Sequence, residues 1–72
     1  MTNYPRIREL REEHGYTQRE LAEKLEMLQP QYFRYEQGQR DLPTALLIRL
    51  SALYDVSTDY LLGLTDDPRR AK

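Results

Sequence analysis

The sequence predicts an all-α fold, a compact bundle of five short helices. Apolar residues recur every three or four positions along most of the chain, which is the period of a helix. Glycine and proline residues divide these apolar stripes into segments of helix length. No segment alternates apolar and polar residues in the manner of a half-buried strand. We therefore expect one helical domain over residues 1–64 and a flexible tail over residues 65–72.

Composition limits the kinds of site that the chain can hold. Its 72 residues include one histidine and no cysteine, so neither a disulfide framework nor a thiolate metal site is expected. The sequence shows no nucleophile beside a general base, no glycine-rich phosphate loop and no cluster with metal-ligand spacing. We therefore expect no enzymatic activity, no bound metal and no cofactor. No apolar run approaches the roughly 20 residues of a membrane span, and the start lacks a signal-peptide segment. A cytoplasmic protein without membrane contact is the expectation.

Charge is almost balanced, with 11 Lys and Arg against 12 Asp and Glu and a net charge of −1. Residues 1–40 contain seven of each sign, and residues 41–72 contain four basic and five acidic side chains. Nonspecific nucleic-acid binding depends on phosphates neutralised by basic groups, so the bulk charge does not favour it. Any contact with a nucleic acid must depend on where individual arginines lie.

The first helix is predicted from its start and end signals. Asn3 has the side chain of an N-cap, and Pro5 suits the first helical turn. Ile7 and Leu10 stand three positions apart and are expected to face the core. Gly15 ends the helix, because a left-handed terminal residue costs glycine least.

The stretch from Thr17 to Gly38 predicts two short helices joined by a tight turn. Thr17 and Glu20 have the spacing of a capping box at the start of the first helix. Pro30 stands in the first turn of the second helix, where its missing N–H costs nothing. Two such helices at a steep angle form a helix-turn-helix arrangement. The inward side chains of the pair are those of Leu21, Ala22, Leu25, Tyr32 and Tyr35. The outward side chains of the second helix are those of Gln29, Pro30, Phe33 and Arg34.

The remaining segment predicts two more helices. Pro43 begins the fourth, which ends at Asp55, and Ser57 caps a short fifth helix that ends at Gly63. The apolar stripe of the fourth helix consists of Leu46, Leu47, Leu50, Leu53 and Tyr54. The predicted core of the bundle consists of Leu21, Ala22, Leu25, Tyr32, Leu46, Leu50 and Leu53. Four tyrosines are expected to pack into it with their hydroxyl groups near the surface, namely Tyr32, Tyr35, Tyr54 and Tyr60.

The outward side chains of the third helix either recognise a nucleic acid or only face solvent. A glutamine can pair with adenine through two hydrogen bonds, and an arginine can pair with guanine or bind a phosphate. Gln29 and Arg34 are the residues of these kinds. Three interpretations of the neighbouring Phe33 stay open: contact with a thymine methyl group, an anchor for a protein partner, or a change without functional gain. In the second, Met27 and Leu28 would widen the apolar patch.

Four segments of the chain resemble a known family. They are RELR at Arg8–Arg11, TQRELAEKL at Thr17–Leu25, RYEQG at Arg34–Gly38 and LIRLSALYDVSTDYLLG at Leu47–Gly63. With their spacing they resemble the phage-repressor/Cro type of helix-turn-helix DNA-binding domain, often named the Xre family, which has a lambda-repressor-like fold. The resemblance covers residues 5–64, nearly all of the predicted folded part.

This resemblance implies a sequence-specific DNA-binding transcriptional regulator, with repression as the expected activity. The helix from Gln29 to Glu36 would enter the major groove of double-stranded DNA. Arg11 and Glu36 match a pair that is commonly a buried salt bridge in the family. The positions that the resemblance and the outward face together assign to DNA contact are Thr17, Gln18, Gln29, Gln31, Phe33, Arg34, Gln39 and Arg40.

Family members usually act as homodimers on two-fold DNA sites. We expect a weak homodimer here, formed through the C-terminal part of the domain. The apolar residues expected at its surface are Tyr60, Leu61 and Leu64.

Three residues depart from the family pattern. Glycine is usual where Glu26 stands, a small polar cap where Leu28 stands, and a polar residue where Phe33 stands. These departures motivate an alternative function, a protein-interaction module on the same fold that binds a protein partner at Leu28 and Phe33.

Overall fold

Five helices make up the chain as far as the structure, a computed structural model, describes it, which is residues 4–70. They are α1 (Pro5–Glu13), α2 (Gln18–Lys24), α3 (Gln29–Glu36), α4 (Thr44–Tyr54) and α5 (Thr58–Leu61). No strand is present within residues 4–70. This arrangement confirms the predicted all-α fold. Among the described helices, none has the length and apolar character needed to cross a membrane.

Two helices begin with the side-chain caps that the sequence predicts. The Thr17 hydroxyl accepts a hydrogen bond from the Glu20 N–H at 3.1 Å, and the Thr17 N–H donates to the Glu20 carboxylate at 2.9 Å. This capping box satisfies donors that the start of α2 would otherwise leave free. The Ser57 hydroxyl accepts from a backbone N–H of α5 at 3.0 Å. Asn3, the predicted cap of α1, lies outside the described residues, and Tyr4 precedes that helix without a side-chain cap.

The turn between α2 and α3 contains an unusual backbone conformation. Glu26 has a φ of 57°, which confirms the left-handed conformation suggested by the glycine that the family usually has there. A side chain with a Cβ in this region costs about 1 kcal/mol relative to glycine. Leu28 follows as the N-cap of α3, contributes no capping hydrogen bond and is 74% exposed. The two departures from the family pattern therefore have visible structural consequences on both sides of the turn.

Every helix contributes to one hydrophobic core. All the predicted core residues are buried except Leu53, which is half-buried. The core also contains Ile7, Leu10, Tyr54, Val56 and Leu61. Because Leu61 has no exposed surface, the prediction that it forms part of a dimer surface is wrong. The short helix α5 packs against both α1 and α4, and Leu61 is the side chain that it buries there.

The hydroxyl groups of Tyr32 and Tyr54 are buried, so the prediction that they approach the surface is wrong for these two residues. Neither hydroxyl makes a hydrogen bond of good geometry within the described chain, although the Glu36 carboxylate lies near Tyr32. Burial raises the pKa of both hydroxyls, and the negative charge of Glu36 raises the pKa of Tyr32 further. The physical reason is that α3 packs against both α1 and α2, which covers the whole Tyr32 side chain.

Residues 65–70 lie against the helices. Arg6 Nη2 is 3.2 Å from Asp66 Oδ1, and Arg6 Nη1 donates to the carbonyl of Tyr60 at 3.4 Å. The Arg6 guanidinium also lies 4.1 Å from the centre of the Tyr60 ring. The Pro68 carbonyl accepts from the backbone N–H that precedes α5 at 3.0 Å. The flexibility of the tail stays a prediction, and these contacts show where its described part is placed.

Candidate nucleic-acid interface

The outward face of α3 carries most of the side chains predicted to contact DNA. Gln31, Phe33 and Arg34 are exposed, and Gln29 is half-buried at the start of the helix. Phe33 exposes 39% of its surface, whereas the preceding Tyr32 is completely buried. The helix therefore presents amide, guanidinium and aromatic groups on one accessible face.

Two shallow grooves border this face, and Arg34 lines both of them. The first is lined by Leu28, Pro30, Gln31, Arg34, Tyr35 and Arg40. The second is lined by Gln29, Pro30, Phe33, Arg34 and Gln39. The structure thus brings the predicted contacts of α3 together with those of the following loop, Gln39 and Arg40. The Gln39 N–H donates to the Arg34 carbonyl at 2.9 Å, which holds the loop close to the end of the helix.

The apolar residues of the alternative protein-binding patch do not line a common groove. Leu28 and Phe33 are exposed, but they do not line a common groove. Met27 is half-buried and packs against the core, so it is not available to widen the patch.

Arg11 of α1 and Glu36 of α3 form a buried ion pair. Arg11 Nε donates to Glu36 Oε2 at 2.9 Å and Arg11 Nη2 donates to Glu36 Oε1 at 3.0 Å. The side chains are 13% and 1% exposed. Burial by itself would raise the pKa of the Glu36 carboxyl, but it is lowered overall, by the hydrogen bonds of Arg11 first, with contributions from the neighbouring Tyr32 and Gln18 and from the positive charge of Arg11. A pair with two parallel charge-assisted bonds fixes the carboxylate in orientation as well as in charge.

The same carboxylate contacts the start of α2. Gln18 Nε2 donates to Glu36 Oε1 at 3.3 Å. Gln29 Nε2 in turn donates to Gln18 Oε1 at 3.0 Å. A continuous series of hydrogen bonds, named the polar row below, therefore runs from Arg11 through Glu36 and Gln18 to Gln29. It joins α1, α2 and α3 and ends on the face predicted to meet DNA.

Thr17 lies at the N-cap of α2, next to the polar row. Both its hydroxyl oxygen and its N–H are bonded to Glu20, so the hydroxyl hydrogen is what it retains for a phosphate oxygen. The hydrogen bond from the Thr17 N–H is the largest cause that lowers the pKa of the Glu20 carboxyl. Thr17 therefore acts first as a helix cap, beside a charge that repels phosphate.

Two exposed arginines lie near the end of α3. The arginines that form ion pairs within the described residues are Arg6, Arg8, Arg11, Arg19, Arg69 and Arg70. Arg34 and Arg40 belong to none of these pairs, and both are exposed. In a chain with a net charge of −1, these two residues supply the positive charge beside the α3 face.

The contact of Gln18 with Glu36 and Gln29 is not predicted from the sequence. Gln18 is predicted to lie near DNA and Glu36 to form an ion pair, as two separate features. The feature of the sequence that could have predicted this contact is a glutamine at the start of each of two consecutive helices. Whether two such side chains meet depends on the angle between the helices, which the local pattern does not determine.

Comparison with known proteins agrees with this architecture. A family model described as helix-turn-helix matches residues 7–61. The chain is similar to the HTH-type transcriptional regulator ImmR of Bacillus subtilis, with 52% identity over 58 residues, 81% of this chain and 46% of that protein. It is also similar to the uncharacterized HTH-type transcriptional regulator YobD of the same organism, with 48% identity over 63 residues, 88% of this chain and 56% of that protein.

A third relative is the uncharacterized HTH-type transcriptional regulator YqaE of Bacillus subtilis, with 39% identity over 56 residues, 78% of this chain and 48% of that protein. The chain thus spans about half the length of these three relatives. Their names describe transcriptional regulators, and none of these findings supports the alternative of a protein-interaction module. The match over residues 7–61 and these identities show that the chain belongs to the helix-turn-helix family of the Cro/C1, or Xre, type.

Proposed function

We propose that this chain is a DNA-binding domain for transcription regulation and that α3 enters the major groove of duplex DNA. The observation that carries the proposal is the pairing of Gln18 with Gln29 at 3.0 Å, where α2 and α3 begin. It places two amides at one corner of the face that also exposes Arg34. The width of the major groove admits a helix, and helix-turn-helix proteins place the second helix of the motif there. The names of the relatives support this assignment.

The side chains of α3 differ in what they can recognise. The amide of Gln29 matches the acceptor and donor of an adenine edge, and Arg34 matches the two acceptors of guanine. Phe33 offers an apolar surface to a thymine methyl group. Gln31 is exposed on the same helix and can contact a base edge or the backbone.

A second set of contacts positions the domain without specifying sequence. Arg40 and Gln39 lie beside the end of α3, where they can meet phosphates of the DNA backbone. The second amide hydrogen of Gln18 and the hydroxyl hydrogen of Thr17 are the corresponding donors at the start of α2.

The proposal includes a weak homodimer, repression and a cytoplasmic location. With Leu61 buried, the dimer surface suggested by the sequence is reduced to Leu64, which is 73% exposed, and the half-buried Tyr60. Two copies related by a two-fold axis would contact two half-sites. This doubles the number of phosphates that Arg34 and Arg40 can contact.

The test is a selection of bound sequences from a random duplex library, followed by titration of the selected duplex at two salt concentrations. We expect one consensus sequence and an affinity that falls with salt, because phosphate contacts release counterions. Arg34→Ala should weaken binding by about 1–3 kcal/mol and relax preference at one base pair if the arginine contacts guanine. Arg8→Ala is the matched control, since Arg8 is an exposed arginine of α1 paired with Glu12. Absence of saturable, salt-sensitive binding to any duplex would show that the proposal is wrong.

A further inference from the structure

We propose that Glu36 is a positioning residue for base recognition, because its carboxylate determines which end of the Gln18 amide, and through it of the Gln29 amide, faces the DNA. The inference rests on the proposed function and assigns to a buried residue a part in sequence preference. Glu36 itself cannot touch DNA, since its side chain is 1% exposed. It acts through the polar row.

Arg11 fixes the position and the charge of the Glu36 carboxylate. Two hydrogen bonds from Arg11, at 2.9 and 3.0 Å, hold the carboxylate in place. An ionised carboxylate only accepts hydrogen bonds, so any neighbour that bonds to it must present a donor. The group that does so from α2 is Gln18 Nε2, at 3.3 Å from Glu36 Oε1.

An amide group has a donor at one end and an acceptor at the other. With its nitrogen turned toward Glu36, Gln18 presents its carbonyl oxygen to α3, and this oxygen accepts from Gln29 Nε2 at 3.0 Å. Gln29 then retains its own carbonyl oxygen and one N–H for the major groove. The negative charge at one end of the row therefore fixes the order of donor and acceptor at the other end.

Base pairs differ in the order of their hydrogen-bonding groups. From one strand, an A·T pair shows the adenine N7 acceptor and then the adenine N6 donor in the major groove, whereas a C·G pair shows the cytosine N4 donor and then the guanine O6 acceptor. A glutamine whose donor and acceptor positions are fixed therefore matches an A·T pair better than a C·G pair. A neutral amide at position 36 could donate or accept, so the Gln18 and Gln29 amides would be free to reverse together. Sequence preference would then relax while the contacts themselves remained possible.

The experiment compares Glu36→Gln with the wild type on duplexes that differ at one position. That position is located first as the base pair at which Gln29→Ala loses preference. We expect the wild type to distinguish A·T from C·G there by about 5- to 150-fold, the range for a good bidentate pair. We expect Glu36→Gln to reduce this ratio to less than about threefold, a small part of that range. Its preference at the base pair relaxed by Arg34→Ala should stay as in the wild type.

Ser51→Ala controls for loss of stability. The buried Ser51 hydroxyl donates to the Val56 carbonyl, and neither residue belongs to the polar row. Removal of this hydroxyl therefore destabilises the fold without breaking a bond of the polar row. All titrations are made at a temperature at which circular dichroism shows each variant to be folded. Ser51→Ala should keep the full A·T preference. An equal loss of preference in Ser51→Ala and Glu36→Gln would overturn the inference, because it would trace the effect to stability.

A measurement on the free wild type keeps the inference testable if Glu36→Gln does not fold. A scalar coupling across the hydrogen bond between the Gln18 side-chain nitrogen and the Glu36 carboxyl carbon is expected in nuclear magnetic resonance spectra. A coupling that instead joins Gln29 Nε2 to Glu36, or none to either amide, would overturn it.

The two proposals fail in different ways. If the wild type binds no duplex with sequence preference, the proposed function is wrong. If the wild type prefers A·T to C·G and Glu36→Gln keeps that preference, the inference about Glu36 alone is wrong.

Discussion

Arg49 of α4 donates from Nη1 to the carbonyl of Leu25 at the end of α2, at a distance of 2.7 Å. Carbonyl groups at the end of a helix lack partners within it, and this bond supplies one. Leu25 immediately precedes the left-handed Glu26, where the chain turns toward α3. The bond therefore ties the fourth helix to the turn of the helix-turn-helix.

Replacement of Arg49 should loosen this turn. Arg49→Ala removes the donor and should lower the free energy of unfolding by about 0.5–1.5 kcal/mol, the usual net value of one hydrogen bond. Denaturant unfolding followed by circular dichroism measures it. Arg8→Ala is the control, because its exposed pair with Glu12 one turn away is worth only a few tenths of a kcal/mol. Equal effects of the two changes would contradict a structural role for the Arg49 bond.

Glu26→Gly should stabilise the protein by up to about 1 kcal/mol. Glycine removes the Cβ that makes the observed φ of 57° costly. Part of this gain is lost, because glycine also gives the unfolded chain more freedom. Thermal and denaturant melts of both proteins measure the difference, with Glu26→Ala as a control that keeps the Cβ and should bring no gain. A destabilised glycine variant would mean that the Glu26 side chain makes a useful contact.

Leu28→Ser should also stabilise the protein, at the other side of the same turn. Leu28 has the extended backbone of an N-cap, with φ −76° and ψ 143°, but its side chain makes no capping hydrogen bond to the first N–H groups of α3. A serine hydroxyl at this position accepts such a bond, and caps of this kind are worth about 0.5–2 kcal/mol relative to alanine. The comparison of Leu28→Ser with Leu28→Ala in denaturant melts isolates the cap from the loss of the exposed leucine. No difference between them would show that the cap does not form.

The ion pair predicts a pH dependence with a definite sign. The pKa of Glu36 is lower in the folded protein than its ordinary value of 4.5, so the folded state favours the carboxylate. The stabilisation is therefore complete above about pH 4.5 and is lost as the pH falls through the folded pKa. The free energy of unfolding should decline more steeply with acid in the wild type than in Glu36→Gln. Glu20 and Asp67 also have lowered pKa values, but they are present in both proteins and cancel in the difference. Parallel profiles would contradict the prediction.

Phe33 should recognise a methyl group if it contacts thymine. Replacing the contacted thymine by uracil removes that methyl group and should weaken binding of the wild type, while Phe33→Ala should bind both duplexes equally well. Phe33→Ala should also cost less affinity than Arg34→Ala, because the apolar contact of Phe33 is weaker than the charge-assisted hydrogen bonds that Arg34 can make. The measurement is a double-mutant cycle of protein and duplex titrations. If no uracil substitution distinguishes the wild type from Phe33→Ala, the thymine interpretation is wrong.

The features that could be predicted from the sequence are those that depend on neighbouring residues or on a specific motif. The capping box of Thr17 and Glu20 is local, since it needs only a spacing of three. The left-handed backbone of Glu26 is predicted from one position, at which the family usually has glycine. Leu61 was placed wrongly because a helix of four residues is too short for its apolar pattern to show which side faces the core. The polar row and the contacts of Arg6 join residues far apart in sequence, and only the packing of the helices brings them together.

The position of Arg6 links the stability of the two ends of the described chain. Arg6 is in the first turn of α1, and its guanidinium contacts Tyr60 and Asp66, 54 and 60 residues later. Opening of the first turn removes those contacts from α5, and opening of the segment after α5 exposes the Arg6 side chain. We therefore expect the two ends to open together rather than to fray independently. Amide hydrogens near the start of α1 and in α5 should exchange with solvent at similar free energies, and Arg6→Ala should lower both together.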